Sequence, residues 1–136
     1  MRLITFSVSS ICAVLLLTQS LIAGSETWSK VEAEDGSLPE ARHESAFVAI
    51  GDLLVLAGGR GIKPVESFDP KYAQWIRGAK PPFEIHHFQG VDIDGTMWVV
   101  GAFTGGYPDE VPVQKVMIYD PEGARWAEGP SIPENR

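Results

Sequence analysis

Two adjacent histidines, His86 and His87, are the residues of this sequence best suited to metal chemistry, because imidazole is a ligand of copper and zinc. Their spacing argues against a shared ion, since neighbouring side chains on a strand point to opposite faces. The single cysteine, Cys12, excludes a cysteine-based zinc site and an internal disulfide framework. We therefore predict no metal site and no bound cofactor.

The segment 103–112 has a composition typical of a ligand contact. It combines aromatic side chains, acids and flexible glycines, and it contains Phe103, Gly105, Gly106, Tyr107, Asp109 and Glu110. Such a mixture can stack on a sugar or grip a peptide, and the alternative is a solvated loop that covers one end of the fold. The sequence shows no nucleophile triad and no paired-carboxylate motif, and the glycines at 58–61 lack the helix that a phosphate-binding loop requires.

The charge balance limits the class of partner. The 136 residues include 18 acidic and 11 basic side chains, which gives a formal net charge of −7. Nucleic acids and anionic membrane surfaces attract clustered lysine and arginine, and this sequence has no basic stripe. We therefore exclude nucleic acid as a partner.

Residues 1–25 have the pattern of a secretory signal peptide. Arg2 precedes an uncharged apolar run from Ile4 to Ala23, and small residues end the segment at Ser25. An uncleaved membrane anchor is the alternative, because about 20 apolar residues can span a bilayer. Cleavage leaves 10 basic and 18 acidic residues, a formal charge of −8, and no cysteine, which suits an oxidising compartment. We predict a secreted or periplasmic protein with no membrane contact after cleavage.

The elements that position these residues are predicted from an internal repeat. Residues 47–58 align with 90–101 at an offset of 43, and residues 65–70 align with 116–121 at an offset of 51. The second copy therefore carries an insertion between its two halves. Both copies contain an aromatic residue, then Asp-Pro, and then a tryptophan after four further residues.

Each copy predicts four short strands separated by turns, as the 14 glycines and 10 prolines also favour. The predicted strands are 46–50, 53–57, 65–68 and 73–76 in the first copy, and 87–93, 96–101, 115–119 and 124–128 in the second. Asp94-Gly95 fits a two-residue type I′ hairpin turn. Gly51-Asp52 is predicted as a reverse turn that needs a positive φ.

This pattern resembles kelch repeats, the roughly 50-residue units of one β-propeller family. The matching features are a basic or histidine residue before strand one, an apolar second strand ending in Gly-Gly, an aromatic residue with Asp-Pro, and a tryptophan. They are carried by Arg42, His43, Gly58, Gly59, Phe68, Asp69, Pro70 and Trp75, and again by His86, Gly101, Tyr119, Asp120, Pro121 and Trp126. Ala102 stands where a second glycine is expected, which predicts looser backbone packing there. The resemblance implies an all-β fold of four-stranded antiparallel blades.

The resemblance also implies a domain organisation. After the signal peptide, it predicts a lone strand within 26–40, at Trp28, that closes the last blade of a full propeller. Blade 1 then covers 41–78, blade 2 covers 79–130 with a long loop at 103–114, and a third repeat starts at 131–136. Because four to eight blades close a ring, we expect an N-terminal fragment with an incomplete ring, whose missing blades belong to the same protein. A short chain that oligomerises into a ring is the alternative.

Kelch folds place the loops between strands two and three on the same face as the loops between blades. This likeness implies a shared ligand-binding face, and we predict as its contacts Arg60, Lys63, Phe83, His86, Phe103, Tyr107, Asp109 and Glu110. His86 also stands at a repeat position where a structural hydrogen-bonding role is the alternative.

The resemblance implies a binding module that recognises a protein or a carbohydrate. An enzyme on the same scaffold is the alternative, since exported kelch propellers include galactose-oxidase-like copper enzymes and the N-acetylneuraminate epimerase, a mutarotase. The copper enzymes need a tyrosine crosslinked to a cysteine, and the predicted mature chain has no cysteine. The likeness to the epimerase is architectural alone, so no catalytic residue is predicted.

Overall fold

The computed structural model describes residues 29–134. The predicted signal peptide and Trp28 lie outside the described residues, and the statements about them stay predictions. All ten elements of the described part are strands, which confirms the all-β prediction. Among residues 29–134, no helix has the length and apolar character needed to cross a membrane.

The first four strands form one antiparallel sheet in sequence order. They are β1 (Ser45–Ile50), β2 (Leu53–Gly58), β3 (Glu66–Asp69) and β4 (Gln74–Arg77). Each bound lies within about one residue of the prediction, because the glycine and Asp-Pro turns that delimit the strands are explicit in the sequence. Gly51 has a φ of +55°, as the predicted turn between β1 and β2 requires.

The second sheet repeats this order with one interruption. The strands are β5 (Gly90–Ile93), β6 (Thr96–Val99), β7 (Phe103–Thr104), β8 (Val111–Pro112), β9 (Lys115–Asp120) and β10 (Arg125–Ser131). Strands β5, β6, β9 and β10 form the four-stranded antiparallel sheet, while β7 and β8 pair separately as a small hairpin inside the predicted insertion. The sequence did not predict this hairpin, because each of its strands has only two residues.

Strand β5 begins three residues later than the predicted 87–93, because His87 adopts a left-handed φ of +54° that no regular strand accommodates. The predicted type I′ turn after β5 is confirmed, since Asp94 and Gly95 have φ values of +50° and +80°.

The same turn closes β3 and β9. Asp69 Oδ1 accepts a hydrogen bond from the amide of Lys71 at 2.9 Å, and Asp120 Oδ1 accepts one from Gly123 at 2.9 Å. Four residues after each aspartate an alanine adopts a left-handed conformation, with φ of +45° at Ala73 and +47° at Ala124.

The tryptophans that follow these turns pack on the aromatic residues that precede them. The rings of Phe68 and Trp75 lie 5.2 Å apart, and those of Tyr119 and Trp126 lie 5.1 Å apart, both in tilted arrangements. The repeated aromatic, Asp-Pro and tryptophan positions therefore form the same local structure in both sheets.

One hydrophobic core joins the two sheets. Its buried members are Ala46, Ile50, Val55, Ala57, Val65, Ile85, Phe88, Met97, Val99, Ala102, Val113, Met117 and Tyr119. Val48 of β1 lies against Gly90 at the start of β5, and the connection after β4 crosses Tyr119 so closely at Gly78 that a side chain there would collide. The sheets are therefore packed face to face as neighbours.

Ala102 belongs to this core and is 1% exposed. Its carbonyl accepts a hydrogen bond from the amide of Val113 at 2.8 Å. The looser packing predicted at Ala102 is wrong for this structure, because the alanine methyl group fills core space and its φ is not left-handed as at Gly59.

A buried ion pair fastens the start of the first sheet. Arg42 Nη2 lies 2.5 Å from Glu66 Oε2, and the Arg42 side chain is 2% exposed. Arg42 also donates to the carbonyls of Pro64 at 2.9 Å and Gly58 at 3.3 Å. The matching basic position of the kelch pattern is therefore structural in this chain.

Residues 29–40 form no strand, so the part of the predicted lone strand that the structure describes is absent. This segment instead contains a turn at Glu34-Asp35 and is held by a hydrogen bond from the amide of Glu34 to the carbonyl of Ala73, at 2.8 Å. Its role in closing a last blade stays a prediction.

Candidate functional site

A cluster of charged and imidazole side chains lies where the two sheets meet. This Arg60 cluster consists of Glu44, Arg60, Glu84, His86, His87 and Glu110. Glu44 precedes β1, Arg60 follows β2, residues 84–87 connect the sheets, and Glu110 precedes β8. The loops predicted to share one face do therefore converge.

Arg60 is the centre of the cluster, and each nitrogen of its guanidinium group has a partner. Nε donates to Glu44 Oε2, Nη2 donates to Glu110 Oε1, and Nη1 donates to the carbonyl of Gly105 at 3.0 Å. Arginine suits such a site because its planar group offers donors in several fixed directions. Arg60 therefore anchors the β7–β8 hairpin, which limits the ligand contact predicted for it.

The carboxylates outnumber the cation. Glu84 Oε1 lies 3.9 Å from Arg60 Nη1, while Glu84 Oε2 accepts a hydrogen bond from the amide of Gly61 at 2.8 Å. Three glutamates around one arginine leave a formal charge of −2 when the histidines are neutral.

His86 and His87 point to the same place. Their Nδ1 atoms are 2.8 Å apart, and their rings meet edge to face. The prediction that they face opposite sides is wrong, because neither residue lies in a regular strand. His86 forms an isolated bridge with Phe103, and the left-handed backbone at His87 turns the second imidazole back toward the first.

Glu44 reaches both imidazoles from the first sheet. Its Oε1 lies 3.6 Å from His87 Nε2, and its Oε2 lies 4.0 Å from His86 Nδ1. Glu44 is the first-repeat counterpart of His87 at the offset of 43, and it shares the left-handed backbone with a φ of +58°. The amide of His87 also donates to the carbonyl of Glu44 at 3.0 Å. Equivalent positions of successive repeats thus meet at the junction.

The electrostatics favour the charged forms of Glu44 and Arg60. Desolvation is the largest influence on Glu44 and opposes its ionisation, yet the hydrogen bond and charge of Arg60, with His87 and His43 nearby, hold the Glu44 pKa below its usual value. The hydrogen bond with Glu110 is the largest influence on Arg60, and it raises the pKa of Arg60. Desolvation opposes this effect, and the hydrogen bond and charge of Glu44 add to it. The ion pair of Glu44 and Arg60 therefore persists at neutral pH.

The predicted ligand contacts fall into two groups. Tyr107 and Asp109 lie exposed on the loop of the hairpin, with 86% of Tyr107 accessible, and Phe103 on β7 is partly exposed. Lys63 donates to the carbonyl of Ala41 at 2.6 Å, and Phe83 packs against the core. The structure thus presents an aromatic hairpin to solvent and uses the other predicted contacts internally, including buried His86 and anchoring Glu110.

Glu44 and Glu84 are residues of the candidate site that the sequence prediction missed. Both are isolated acids in loops, so no local motif marks them. The repeat alignment does place Glu44 opposite His87, and that equivalence is the one signal that could have found it.

The fold defines a class of protein. Four-stranded antiparallel sheets in sequence order, packed face to face with repeated aromatic Asp-Pro turns, are the blades of a β-propeller. No family model matches the chain. Kelch-like protein 35 from mouse (Mus musculus) is 29% identical over 114 residues, which cover 80% of this chain and 18% of that protein.

The solved structure of YjhT is also similar, with a TM-score of 0.57 and 17% identity over 66% of this chain and 28% of that chain. The chain therefore spans less than a third of the length of either protein. These comparisons and the repeated turns confirm the prediction of kelch-type repeats in propeller blades.

Proposed function

We propose that this chain is part of an exported kelch-type interaction module that binds a protein ligand through the β7–β8 hairpin and the loops beside it. The observation that carries the proposal is the hairpin itself, which exposes Tyr107 at its tip while Arg60 ties its base to the blade junction. Mouse Kelch-like protein 35 supports the interaction class, since kelch repeats generally mediate protein binding.

A rigid base and an exposed aromatic tip suit recognition. Tyrosine offers a large contact area with few rotatable bonds, so it loses little entropy when it binds. Phe103 and Val111 lie partly exposed on the two strands of the hairpin, at 38% and 54%. Because Phe103 pairs with Pro112 and Val111 pairs with Thr104, the two apolar side chains lie on opposite faces of the hairpin. Ligand binding would therefore bury side chains that the fold itself leaves in water.

A carbohydrate ligand is the second candidate. The ring of Tyr107 can stack on a sugar, and Asp109, two residues away on the same loop, can accept hydrogen bonds from its hydroxyl groups. The enzyme alternatives receive no such support. A tyrosine–cysteine crosslink has no cysteine to use among residues 29–134, and the epimerase alternative stays a prediction without an assigned residue.

The full-length protein should be probed with a phage-displayed peptide library and, in parallel, with a glycan array. We expect binders whose affinity falls at least about tenfold in Tyr107→Ala, the loss typical of a central aromatic contact. Tyr72→Ala is the matched control, because Tyr72 is 55% exposed but lies in the turn between β3 and β4, at the opposite end of the sheet.

Peptide binders support the protein ligand, and glycan binders support the carbohydrate ligand. The proposal fails if neither probe binds, or if binding is insensitive to Tyr107→Ala and Phe103→Ala. Equal losses in Tyr107→Ala and Tyr72→Ala would also contradict a site on the hairpin.

Export is tested separately. We expect the N-terminal sequence of the protein recovered outside the cytoplasm to begin after Ala23 or after Ser25. Exported material that still begins at Met1 would contradict signal cleavage, and protein retained in the cytoplasm would contradict export.

A further inference from the structure

We propose that Glu44, His86 and His87 bind a divalent transition-metal ion at the junction of the two sheets. One ligand atom from each of these residues lies within 4.8 Å of the other two. The inference goes beyond the proposed ligand-binding role of the hairpin, since none of the three residues belongs to the hairpin, although His86 pairs with Phe103 of β7.

The spacing of the ligand atoms fits an ion after small adjustments. Metal–ligand bonds of about 2.0 Å in tetrahedral geometry place ligand atoms roughly 3.3 Å apart. The two Nδ1 atoms are 2.8 Å apart, and Glu44 Oε2 is 4.0 Å from His86 Nδ1. One observed separation is therefore shorter and the other longer than the ligand–ligand distance that a tetrahedral ion requires. Small side-chain rotations can bring the ligand atoms to that distance.

The hydrogen-bond partners of His86 leave its Nδ1 atom available to bind a metal. Its Nε2 faces two acceptors, the carbonyl of Gly105 at 3.0 Å and Glu84 Oε1 at 3.3 Å. One donor, Arg60 Nη1, also lies 3.3 Å from Nε2, and this donor is already bonded to the carbonyl of Gly105 at 3.0 Å. A proton on Nε2 satisfies these acceptors, and it leaves the lone pair of Nδ1 directed at His87. Metal-binding histidines are commonly held by such a contact from the other ring nitrogen to a carboxylate or carbonyl.

The local charge also favours a cation of charge +2. The carboxylates of Glu44, Glu84 and Glu110 surround the single guanidinium of Arg60, and this set carries a formal −2. Arg60 bonds Glu44 through Nε, so it fixes the carboxylate while repelling the ion. The excess of acids offsets that repulsion.

The ligand types indicate which metals fit. Two imidazoles and one carboxylate suit zinc, copper or nickel, whereas magnesium and calcium prefer oxygen ligands alone. His86 is fully buried, but His87 is 45% exposed and Glu44 is 27% exposed. A cleft of about 420 Å³ beside Glu44, His87 and Val100 gives an ion access from solvent.

The test is calorimetric titration of the chelator-treated full-length protein with Zn²⁺ alone. We expect one ion per chain, and we expect affinity to fall at least about tenfold in His87→Ala. Glu122→Ala is the matched control, because Glu122 is an exposed acid in the turn between β9 and β10, at the opposite end of the second sheet, and lies outside the ligand set. Its affinity should stay within about twofold of the wild type. His43 is unsuitable as a control, since its Nδ1 lies 3.4 Å from Glu44 Oε1.

Nitrogen-15 NMR of the histidine rings gives a second readout that does not depend on a variant folding. Zn²⁺ should shift the Nδ1 signals of His86 and His87. Absence of binding by the wild-type protein overturns the proposal. It is also overturned if Glu122→Ala and His87→Ala weaken binding equally, or if the Nδ1 signals of His86 do not move.

Discussion

The buried pair of Arg42 and Glu66 shows how single residues differ between repeats that share a fold. At the repeat offsets of 43 and 51, the counterparts of Arg42 and Glu66 are Ile85 and Met117, which are 0% and 1% exposed. One repeat therefore places an ion pair where the other places two apolar side chains. Buried ion pairs are often no more stabilising than apolar residues of similar volume, whereas a buried charge without its partner is costly.

Arg42→Ile alone should destabilise the full-length protein by about 3–5 kcal/mol, because Glu66 is left buried without its counterion. The double variant with Glu66→Met should recover more than half of that loss, since it reproduces the chemistry of the second repeat. Thermal unfolding measured by calorimetry compares the two. A double variant that melts as low as Arg42→Ile would contradict the equivalence.

Asp120 provides a prediction about pH. The amide hydrogen bond from Gly123 is the largest influence that lowers the pKa of Asp120, and Arg125 acts in the same direction against desolvation. A carboxylate whose pKa is lower in the folded state stabilises the fold above its unfolded pKa, about 3.9. That contribution is lost as the pH falls through the lower, folded pKa.

The melting temperature of Asp120→Asn should therefore lie below that of the wild type at pH 6, and the gap should shrink as the pH is lowered toward 3. Thermal melts of both proteins across this range measure the gap. A gap that is constant with pH would show that the charge of Asp120 contributes nothing.

At the scale of elements, the turn that follows each Asp-Pro carries a strained alanine. Ala124 has a φ of +47°, a conformation that costs an L-residue about 1 kcal/mol and glycine little. Ala124→Gly should therefore raise the free energy of unfolding of the full-length protein by roughly 0.5–1 kcal/mol. Chemical denaturation provides the measurement.

Ala127→Gly is the matched control for this turn. Ala127 is an exposed alanine in β10 with an ordinary strand backbone, so glycine there should destabilise by about 0.5–1 kcal/mol. Changes of the same sign in both variants would contradict the explanation by backbone strain.

The strands were predictable because turn residues that are adjacent in the sequence determine where each strand ends. Gly51-Asp52, Asp94-Gly95 and the two Asp-Pro turns each fix a strand end through local backbone chemistry. The Arg60 cluster was not predictable in the same way. Glu44 and Glu84 reach it from separate loops, and the left-handed backbone of His87 depends on contacts with the neighbouring repeat.

The structure of the β7–β8 hairpin was likewise only partly predictable from the sequence. The sequence predicts an insertion with binding character, but the pairing of β7 with β8 rests on two residues in each strand and on the long-range bonds from Arg60. Arg60 itself was identified as a candidate contact from its loop position. Its anchoring role emerges only when Glu44, Gly105 and Glu110 are brought together in space.

At the scale of the molecule, each sheet presents one apolar face outward. On the first sheet Phe47 is 58% exposed and lines a cleft with Val31, Leu54, Phe68, Pro70 and Trp75. On the second sheet Val91 and Ile93 of β5 are 53% and 42% exposed. Propeller blades are covered by neighbours on both sides, so these are the faces on which further blades would pack.

We expect residues 26–136 expressed alone to aggregate or to unfold without a cooperative transition, because both outer faces are then in contact with water. Analytical ultracentrifugation and calorimetry at micromolar concentration provide the measurement. Phe47→Ser should reduce aggregation by removing apolar surface. A monomeric protein with a cooperative melt would contradict the expectation that additional blades are needed.

The paired left-handed positions at Glu44 and His87 have a consequence for how such proteins diversify. The backbone link between these two residues is made by main-chain atoms, so it persists with any side chain that tolerates a left-handed backbone. A single codon change at this position can therefore alter the chemistry between two blades without disturbing either sheet. Duplication of the repeat supplies one such position for each new unit, and successive copies can acquire different ligands while the architecture stays the same.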